Sequence, residues 1–278
     1  MRITLFQLLV VIKMYNLISA DLFKLRKSMA IKILFGITTI SSIIMAVIAY
    51  LIPQGNIDAS MTGIGFLFSD IDVISILGAV LAGVFICGDF DDKTIHDAIA
   101  NGYSRETVIV SKAVVFCCAV AFLLIPYAII ICISLSTGSK FDMGKVSVGF
   151  LHILTSEAGI TFSTPEIWKF LAVMLTLMII YAAQLSVCVP LAFTLKKPVL
   201  VVPIYYGFTI FCAQLVGLRG KSALFDGIFA CTPFGGNYTF ITLDSGLGDI
   251  LKSIFVSLIF IIVMLVVTYS SFRKSEIK

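Results

Sequence analysis

The sequence has little charge. Asp, Glu, Lys and Arg together make up only 13% of its 278 residues, whereas 59% are hydrophobic. Soluble domains have about 25% charged and about 45–50% apolar residues, so this composition excludes a soluble fold and indicates an integral membrane protein. The net charge of +4 is accompanied by no feature that indicates nucleic-acid binding.

Motifs of nucleotide-binding and metal-dependent enzymes are also absent. Gly83 and Gly88 have the separation of a phosphate-binding loop, but the Lys and the Ser or Thr of that motif do not follow. The two histidines, His96 and His152, lie in loops that we predict on opposite sides of the membrane, and the seven cysteines lack metal-ligand spacing. We therefore expect no enzymatic activity, no metal and no cofactor in this chain.

The middles of the long apolar runs contain no Asp, Glu, Lys, Arg or His. Asp70 and Asp72 lie at the outer rim of one run, and Gln184 and Gln214 are the most polar central side chains. Ion pathways and proton relays ordinarily need ionisable groups at depth, because these offset the dehydration of the ion. This absence disfavours an ion channel or a proton-coupled carrier, and it suits a path for a hydrophobic or amphipathic substrate.

The sequence does contain six apolar runs of about 20 residues, the length that crosses a bilayer as a helix. Hydrocarbon offers the backbone no hydrogen-bond partners, and the runs do not alternate apolar with polar residues, so we predict helices and not a β-barrel. The fold class is thus an all-α integral membrane protein with six transmembrane helices in a single domain, 1–278. The runs are Ile33–Ile52, Ile71–Cys87, Ala113–Leu135, Phe170–Leu195, Val199–Leu218 and Ser253–Ser271.

Lys and Arg are distributed unequally between the loops. Fourteen of the twenty lie on one side of the predicted membrane, and an excess of these residues marks the cytoplasmic side. Both termini and the polar loop Gly88–Lys112 are therefore predicted to be cytoplasmic.

Two further segments flank the predicted helices. Residues 14–32 combine apolar positions with a basic cluster, which predicts an entry helix in the cytoplasmic headgroup layer. Residues 219–252, on the outer side, are apolar, but Asp226, Pro233 and Gly235 interrupt them too often for a crossing helix. We predict a re-entrant pair of short helices there, before the last span.

Small residues recur at intervals of four in the second span. Gly78 is followed by Ala82, and Ala79 by Gly83. Such spacing lets another helix approach closely. The pattern fits packing within the chain as well as an interface with a second subunit.

The loop Gly88–Lys112 has the signals of a short helix, which we predict over Asp92–Asn101. Asp89 and Asp91 are candidate N-caps, and Asn101-Gly102 is a helix stop signal. Ile95, Ala98 and Ile99 share one face of this helix, and Lys93, His96 and Asp97 lie on the other. A helix of about ten residues does not fold alone in water. Its apolar face therefore needs a partner, which is lipid, the rest of the chain or another protein.

The loop also contains a series of short motifs. These are, in order, Asp89-Phe90, Thr94-Ile95, Gly102-Tyr103-Ser104-Arg105 and Ser111-Lys112. The series closely resembles the first cytoplasmic loop of permease subunits of ABC-2 type transporters, which has an acidic residue and Phe, then Thr-Ile, then Gly-x-Ser-Arg, and finally Ser-Lys at the start of the third span. The family more often has Glu where this chain has Asp89, which keeps the charge. Residues 20–28 and 272–278 also look like the family's entry helix and basic C-terminal end.

The resemblance implies a bacterial plasma-membrane exporter in which two permease subunits, identical or different, form the path for an antimicrobial peptide or drug. Two copies of a cytosolic ATP-binding subunit would bind ATP and Mg²⁺, which agrees with the missing phosphate loop. The loop helix would then be the coupling helix, with its apolar face in a groove of the ATPase. The implied contact residues are Asp89, Phe90, Lys93, Thr94, Ile95, His96, Ala98, Ile99, Gly102, Ser104 and Arg105.

Two other classes of protein remain open from the sequence. One is a membrane scaffold or sensor that transports nothing and whose cytoplasmic loop binds a signalling partner. The other is a carrier that works without an ATPase. A neighbouring gene for an ATP-binding subunit would favour the exporter over both.

Overall fold

A computed structural model describes residues 5–58, 62–143, 147–159, 164–235 and 237–274. The chain is about 80% helical, and the described residues form no β-strand. A π-helical turn, Gly83–Cys87, and a 3₁₀ turn, Tyr238–Phe240, accompany the α-helices. The α-helices are α1 (Leu5–Lys27), α2 (Met29–Leu51), α3 (Thr62–Leu67), α4 (Asp70–Ala82), α5 (Gly88–Asp91), α6 (Thr94–Ala100), α7 (Arg105–Ser136), α8 (Gly149–Ser156), α9 (Thr164–Leu185), α10 (Cys188–Leu195), α11 (Pro198–Val216), α12 (Ala223–Ala230) and α13 (Leu247–Lys274).

Six helical stretches in the described ranges are long and apolar enough to cross a membrane. This confirms the predicted number of spans and indicates a multi-pass membrane protein. The fourth stretch is mostly buried, whereas the fifth and sixth leave most of their apolar surface uncovered. The six stretches are Met29–Leu51, Thr62–Asp91, Arg105–Ser136, Glu166–Leu195, Pro198–Val216 and Leu247–Arg273.

Helix α7 lies at the centre of the bundle. It contacts α1, α2, α4, α8, α9 and α13. Its side chains are apolar on nearly all sides, and Phe116, Leu123 and Tyr127 are completely buried. A helix that is hydrophobic all round suits such a position.

The entry helix differs from its predicted bounds, 14–32. Helix α1 already includes residues 5–13, since no helix-breaking residue separates them from the amphipathic stretch, and it ends at Lys27. Ser28 then begins a new helix, because its hydroxyl accepts a hydrogen bond from the backbone N–H of Ala30 at 3.2 Å. A serine in this position is a favourable N-cap.

A proline divides the fourth span into α9 and α10. Pro190 has no N–H to donate to the carbonyl of Ser186, which a continuous helix would require. The N–H of Val189 donates to that carbonyl instead, at 3.1 Å. Pro126 and Pro203, in contrast, lie inside helices that continue through them.

The small residues of the second span pack against the same chain. A Cβ atom added to Gly78 would lie 2.5 Å from both terminal methyl groups of Leu185, and one added to Gly83 would lie 3.0 Å from the Cβ atom of Pro198. Ala79 and Ala82 are fully buried as well. The close approach that these residues permit is therefore used by α9 and by the start of α11.

We expect Gly78→Ala to lower the free energy of unfolding by about 1–3 kcal/mol, because Leu185 is itself buried and has little room to move. Gly36→Ala is the matched control, since a Cβ atom there would meet nothing within 4 Å. That change should be neutral or stabilise helix α2 by up to about 1 kcal/mol. The measurement is the temperature at which half of the detergent-solubilised protein is lost from its size-exclusion peak. Equal temperatures for the two variants would contradict the close packing of Gly78 against Leu185.

The segment 219–252 is not one continuous helix: its first half contains α12, and its second half contains the 3₁₀ turn and the first residues of α13, which begins at Leu247. Two buried side chains attach it to the bundle. The amide of Gln184 donates to the carbonyl of Pro233 at 3.0 Å, and the carboxylate of Glu157 accepts from the N–H of Leu243 at 2.8 Å. Burial raises the pKa of Glu157, although this hydrogen bond opposes the shift. The depth of the segment in a membrane stays a prediction.

Candidate functional site

The polar loop between the second and third spans folds around α6. The second span continues to Asp91, so α6 begins at Thr94 rather than at the predicted Asp92. Lys93, between them, adopts a left-handed conformation with φ +58°. Gly102 has φ +82°, a conformation that suits glycine, and so ends the helix as predicted.

Asp89 is not an N-cap of α6. It lies inside α5, where it joins Asp21, Lys24 and Lys112 in what we call the charge cluster. The Lys112 ammonium contacts the carboxylates of both Asp21, at 2.6 Å, and Asp89. The Lys24 ammonium binds the second oxygen of Asp89. Four residues from three parts of the chain thus form one network of alternating charges.

Most of this cluster is shielded from solvent. The exposed fraction of the side chain is 1% for Asp89, 5% for Lys112 and 9% for Asp21, but 48% for Lys24. Two positive and two negative charges balance each other, which a buried ionic group requires. The Ser111 hydroxyl adds a hydrogen bond to Asp21 at 3.3 Å.

The two members of the cluster that lie in α1 have shifted pKa values. Burial raises the pKa of the Asp21 carboxyl, and attraction to the Lys112 ammonium opposes this shift. Burial disfavours the charge of Lys24, but its hydrogen bond and attraction to Asp89 outweigh this effect and raise the pKa of Lys24.

Phe90, the second residue of the motif, forms an aromatic cluster with Phe193 and Phe272. The ring centroids lie 5.5 Å and 6.0 Å from that of Phe90, with edge-to-face geometry. His96 approaches the same ring at 6.3 Å, and the Lys196 ammonium lies over it at 5.2 Å. This cluster joins the loop to α10 and to the end of α13.

The remaining motif residues hold the ends of the loop. The Ser104 hydroxyl accepts the N–H of Thr107 at 3.1 Å and so caps α7. The Arg105 guanidinium donates to the carbonyls of Phe272, at 3.0 Å, and Arg273, at 3.2 Å, near the C-terminal end of α13. Carbonyls at a helix C-terminus lack intrahelical donors, and a cation there is favourable. Arg105 therefore joins the start of α7 to the end of α13.

The apolar face of α6 lies partly against this chain, which covers Ile95, whereas contact of the loop with an ATPase stays a prediction. Ile95 is only 1% exposed, and Ala98 and Ile99 are partly buried against the core. Ile95 and Ala98 line a cavity of about 230 Å³ together with residues of α1 and α7. The entry helix and the third span supply the apolar surface that the helix needs.

The outward face of the loop is polar and acidic. Three carboxylates and one ammonium are exposed there, together with the side chain of Thr94. Asp92 also lies 3.5 Å from the Lys24 ammonium. The exposed charged residues are Asp91, Asp92, Lys93 and Asp97. A partner that contacts the loop would meet this face.

Sequence reasoning missed the other three members of the charge cluster. Ser111-Lys112 was recognised only as part of a motif, and Asp21 and Lys24 only as part of an amphipathic segment. A single acidic residue in an otherwise basic, apolar entry helix is the signal that could have indicated Asp21. Its partners Ser111 and Lys112, however, lie 90 and 91 positions away, and no local pattern connects residues over such distances.

A second buried acid, Asp70, lies at the other end of the bundle, and the sequence pattern predicts its place at the rim of a span but not its burial. Asp70 has no exposed surface. Its carboxylate accepts the N–H groups of Phe150, at 2.9 Å, and Leu151, at 3.2 Å, and the hydroxyl of Tyr181. Asp70 thereby joins α4, α8 and α9.

No protein-family model matches this chain, and no curated protein sequence matches it. The resemblance to ABC-2 permeases therefore stays an expectation that depends on the motif residues alone.

Proposed function

We propose that this chain is the permease subunit of an ATP-driven exporter of the ABC-2 type in a bacterial plasma membrane. It would pair with a second permease subunit and with two copies of a cytosolic ATP-binding subunit. The middles of the apolar runs contain no ionisable side chain, which suits a hydrophobic or amphipathic cargo, such as an antimicrobial peptide or a drug. Nucleotide hydrolysis would belong to the partner, since this chain has no phosphate-binding loop.

The observation that carries this proposal is how firmly the loop is attached to the bundle. The charge cluster joins it to α1 and α7, and the aromatic cluster joins it to α10 and α13. Packed interiors have low compressibility and transmit displacement. Movement of a partner bound to the outward face of α6 would therefore shift several transmembrane helices together, as ATP-driven transport requires.

The motif residues in this proposal act on the loop rather than on the partner. Asp89, Phe90 and Arg105 hold the loop in place, and Gly102 permits its turn. The partner would bind the acidic outward face, so its complementary surface should be basic. This assignment differs from one in which Ile95 inserts into the partner.

The test is co-purification of ATPase activity with the tagged protein from its own host, for the wild type and for Asp91→Lys/Asp97→Lys. Like charges across an interface cost several kcal/mol. We therefore expect the ATPase activity that co-purifies with the variant to be at least about tenfold lower than that with the wild type. Both residues are exposed, and the variant should insert and fold normally. Asp244→Lys/Asp249→Lys changes the net charge equally at the other end of the bundle and should retain the ATPase.

Substituting Ile95 would not be decisive, because an aspartate there would disrupt the packing of the chain itself. Wild-type protein that purifies intact without ATPase activity would contradict the exporter proposal. Retention of full activity by the Asp91→Lys/Asp97→Lys variant would contradict the binding face. A signalling protein recovered with the loop would instead support a scaffold or sensor.

A further inference from the structure

A groove of about 760 Å³ lies between α1, α2 and α7, at the same end of the bundle as the charge cluster. We infer that it binds one anionic phospholipid, with the acyl chain between the helices and the phosphate at the basic rim. This site is separate from the outward face of α6, and it does not depend on the proposed exporter function. The lining residues are Leu22, Leu25, Arg26, Lys27, Ile31, Lys32, Phe35, Cys118, Ala119 and Phe122.

The walls of the groove are apolar and come from three helices. Leu22 and Leu25 lie one turn apart on α1, as do Ile31 and Phe35 on α2. Phe35 stacks on Phe122 of α7, with ring centroids 4.6 Å apart, so the two rings form a continuous apolar wall. Such a surface matches an acyl chain and offers nothing to a soluble polar ligand.

The rim of the groove is basic. Arg26, Lys27 and Lys32 are exposed, and none of them pairs with a carboxylate in the part of the chain that the structure describes. Lys24, on the other side of α1, is by contrast bound to Asp89. A guanidinium with two ammonium groups is suited to a phosphate, since Arg binds two of its oxygens at once and Lys adds positive charge.

The position of the basic rim favours a lipid over a free phosphate as the ligand. Arg26 and Lys27 lie at the end of α1, and Lys32 lies in the first turn of the first span. This is where a membrane-spanning helix leaves the hydrocarbon and enters the headgroup layer. Basic pockets between transmembrane helices at this level bind anionic headgroups. The charge of the rim and the apolar walls below it thus match the two parts of one molecule.

The test is native mass spectrometry of the detergent-purified, delipidated full chain after incubation with palmitoyl-oleoyl phosphatidylglycerol or phosphatidylcholine. The wild type should retain one phosphatidylglycerol in preference to phosphatidylcholine. In Arg26→Gln/Lys27→Gln/Lys32→Gln the dissociation constant for phosphatidylglycerol should rise by about 10- to 100-fold. The matched control, Lys140→Gln/Lys221→Gln/Lys252→Gln, removes three exposed charges from the opposite end and should bind as the wild type does.

A second variant tests the acyl-chain position without changing any charge. Cys118 is exposed and lines the groove, so Cys118→Trp should fill the space and lower lipid retention by a similar factor. Cys132 is also exposed, about 20 Å further along α7, and Cys132→Trp should have no effect.

Three results would overturn the inference. One is equal retention of the two lipids by the wild type, and another is unchanged retention by the Gln variant. The third is binding of glycerol phosphate as tight as that of the lipid, which would mean a soluble phosphate ligand.

Discussion

Lys112→Met is expected to lower the free energy of unfolding by about 3–5 kcal/mol. Methionine has nearly the same length and fits the space, but it leaves the carboxylates of Asp21 and Asp89 buried without the cation that they share. Lys24 can compensate only Asp89. One buried negative charge thus remains unpaired, and removal of one partner from a buried ion pair is much more costly than replacement of the whole pair.

A second substitution should reverse most of this loss. Lys112→Met/Asp21→Asn restores neutrality, since Asp89 keeps Lys24 as its partner. We expect the apparent melting temperature in detergent to fall strongly for Lys112→Met and to recover largely in the double variant. Lys140→Met, at an exposed position, is the control and should leave it unchanged. Additive destabilisation by Lys112→Met and Asp21→Asn would be inconsistent with the network.

The charge cluster also has a consequence for the proposed coupling. A buried ionic network contributes little net stability compared with apolar packing, but its geometry is specific. In this chain it fixes the distance between α1, α5 and α7 at the level of the loop. The double variant should therefore fold, yet transmit movement of α6 less well. In the proposed exporter, we expect the double variant to allow ATP hydrolysis without transport.

The spans and the loop helix could be predicted because their signals are local. Twenty consecutive apolar residues indicate a membrane helix whatever surrounds them, and Asn101-Gly102 ends α6 as the sequence indicates. The break at Ser28 was missed, because an N-cap within a long helical pattern is a weak signal. Similarly, the interruption of the fourth span follows from Pro190, but Pro126 and Pro203 leave their helices continuous, so proline alone does not predict a break.

The site was harder to predict, because periodicity shows which face of a helix is buried but not what covers it. The pattern of Ile95, Ala98 and Ile99 was read correctly as an apolar face. Part of that face packs against α1 and α7 of the same chain, and a sequence pattern does not distinguish such a surface from that of another protein. The same limit applies to Asp89, whose partners follow from the tertiary fold alone.

Substitution of Asp70 is the second change that we expect to lower the stability of the protein strongly. Its carboxylate satisfies three buried donors, and α8 begins at Gly149 with φ +64°, close against this carboxylate and the Tyr181 hydroxyl. A Cβ atom at that glycine would collide with both oxygens. The start of α8 is thus shaped to bring two N–H groups to one acid.

Asp70→Leu should therefore destabilise the protein by about 3 kcal/mol or more, because each unsatisfied buried donor costs about 1–3 kcal/mol and the gain from removing a buried carboxylate offsets only part of this. Asp70→Asn keeps an acceptor oxygen for two of the donors and should lose about 1–3 kcal/mol. Asp72→Asn, two residues further along α4 and only partly buried, is the control. The temperature at which half of the protein is lost from the size-exclusion peak should be lowest for Asp70→Leu, higher for Asp70→Asn and highest for Asp72→Asn. If Asp70→Leu were as stable as Asp72→Asn, the carboxylate would not be what holds α8 to α4 and α9.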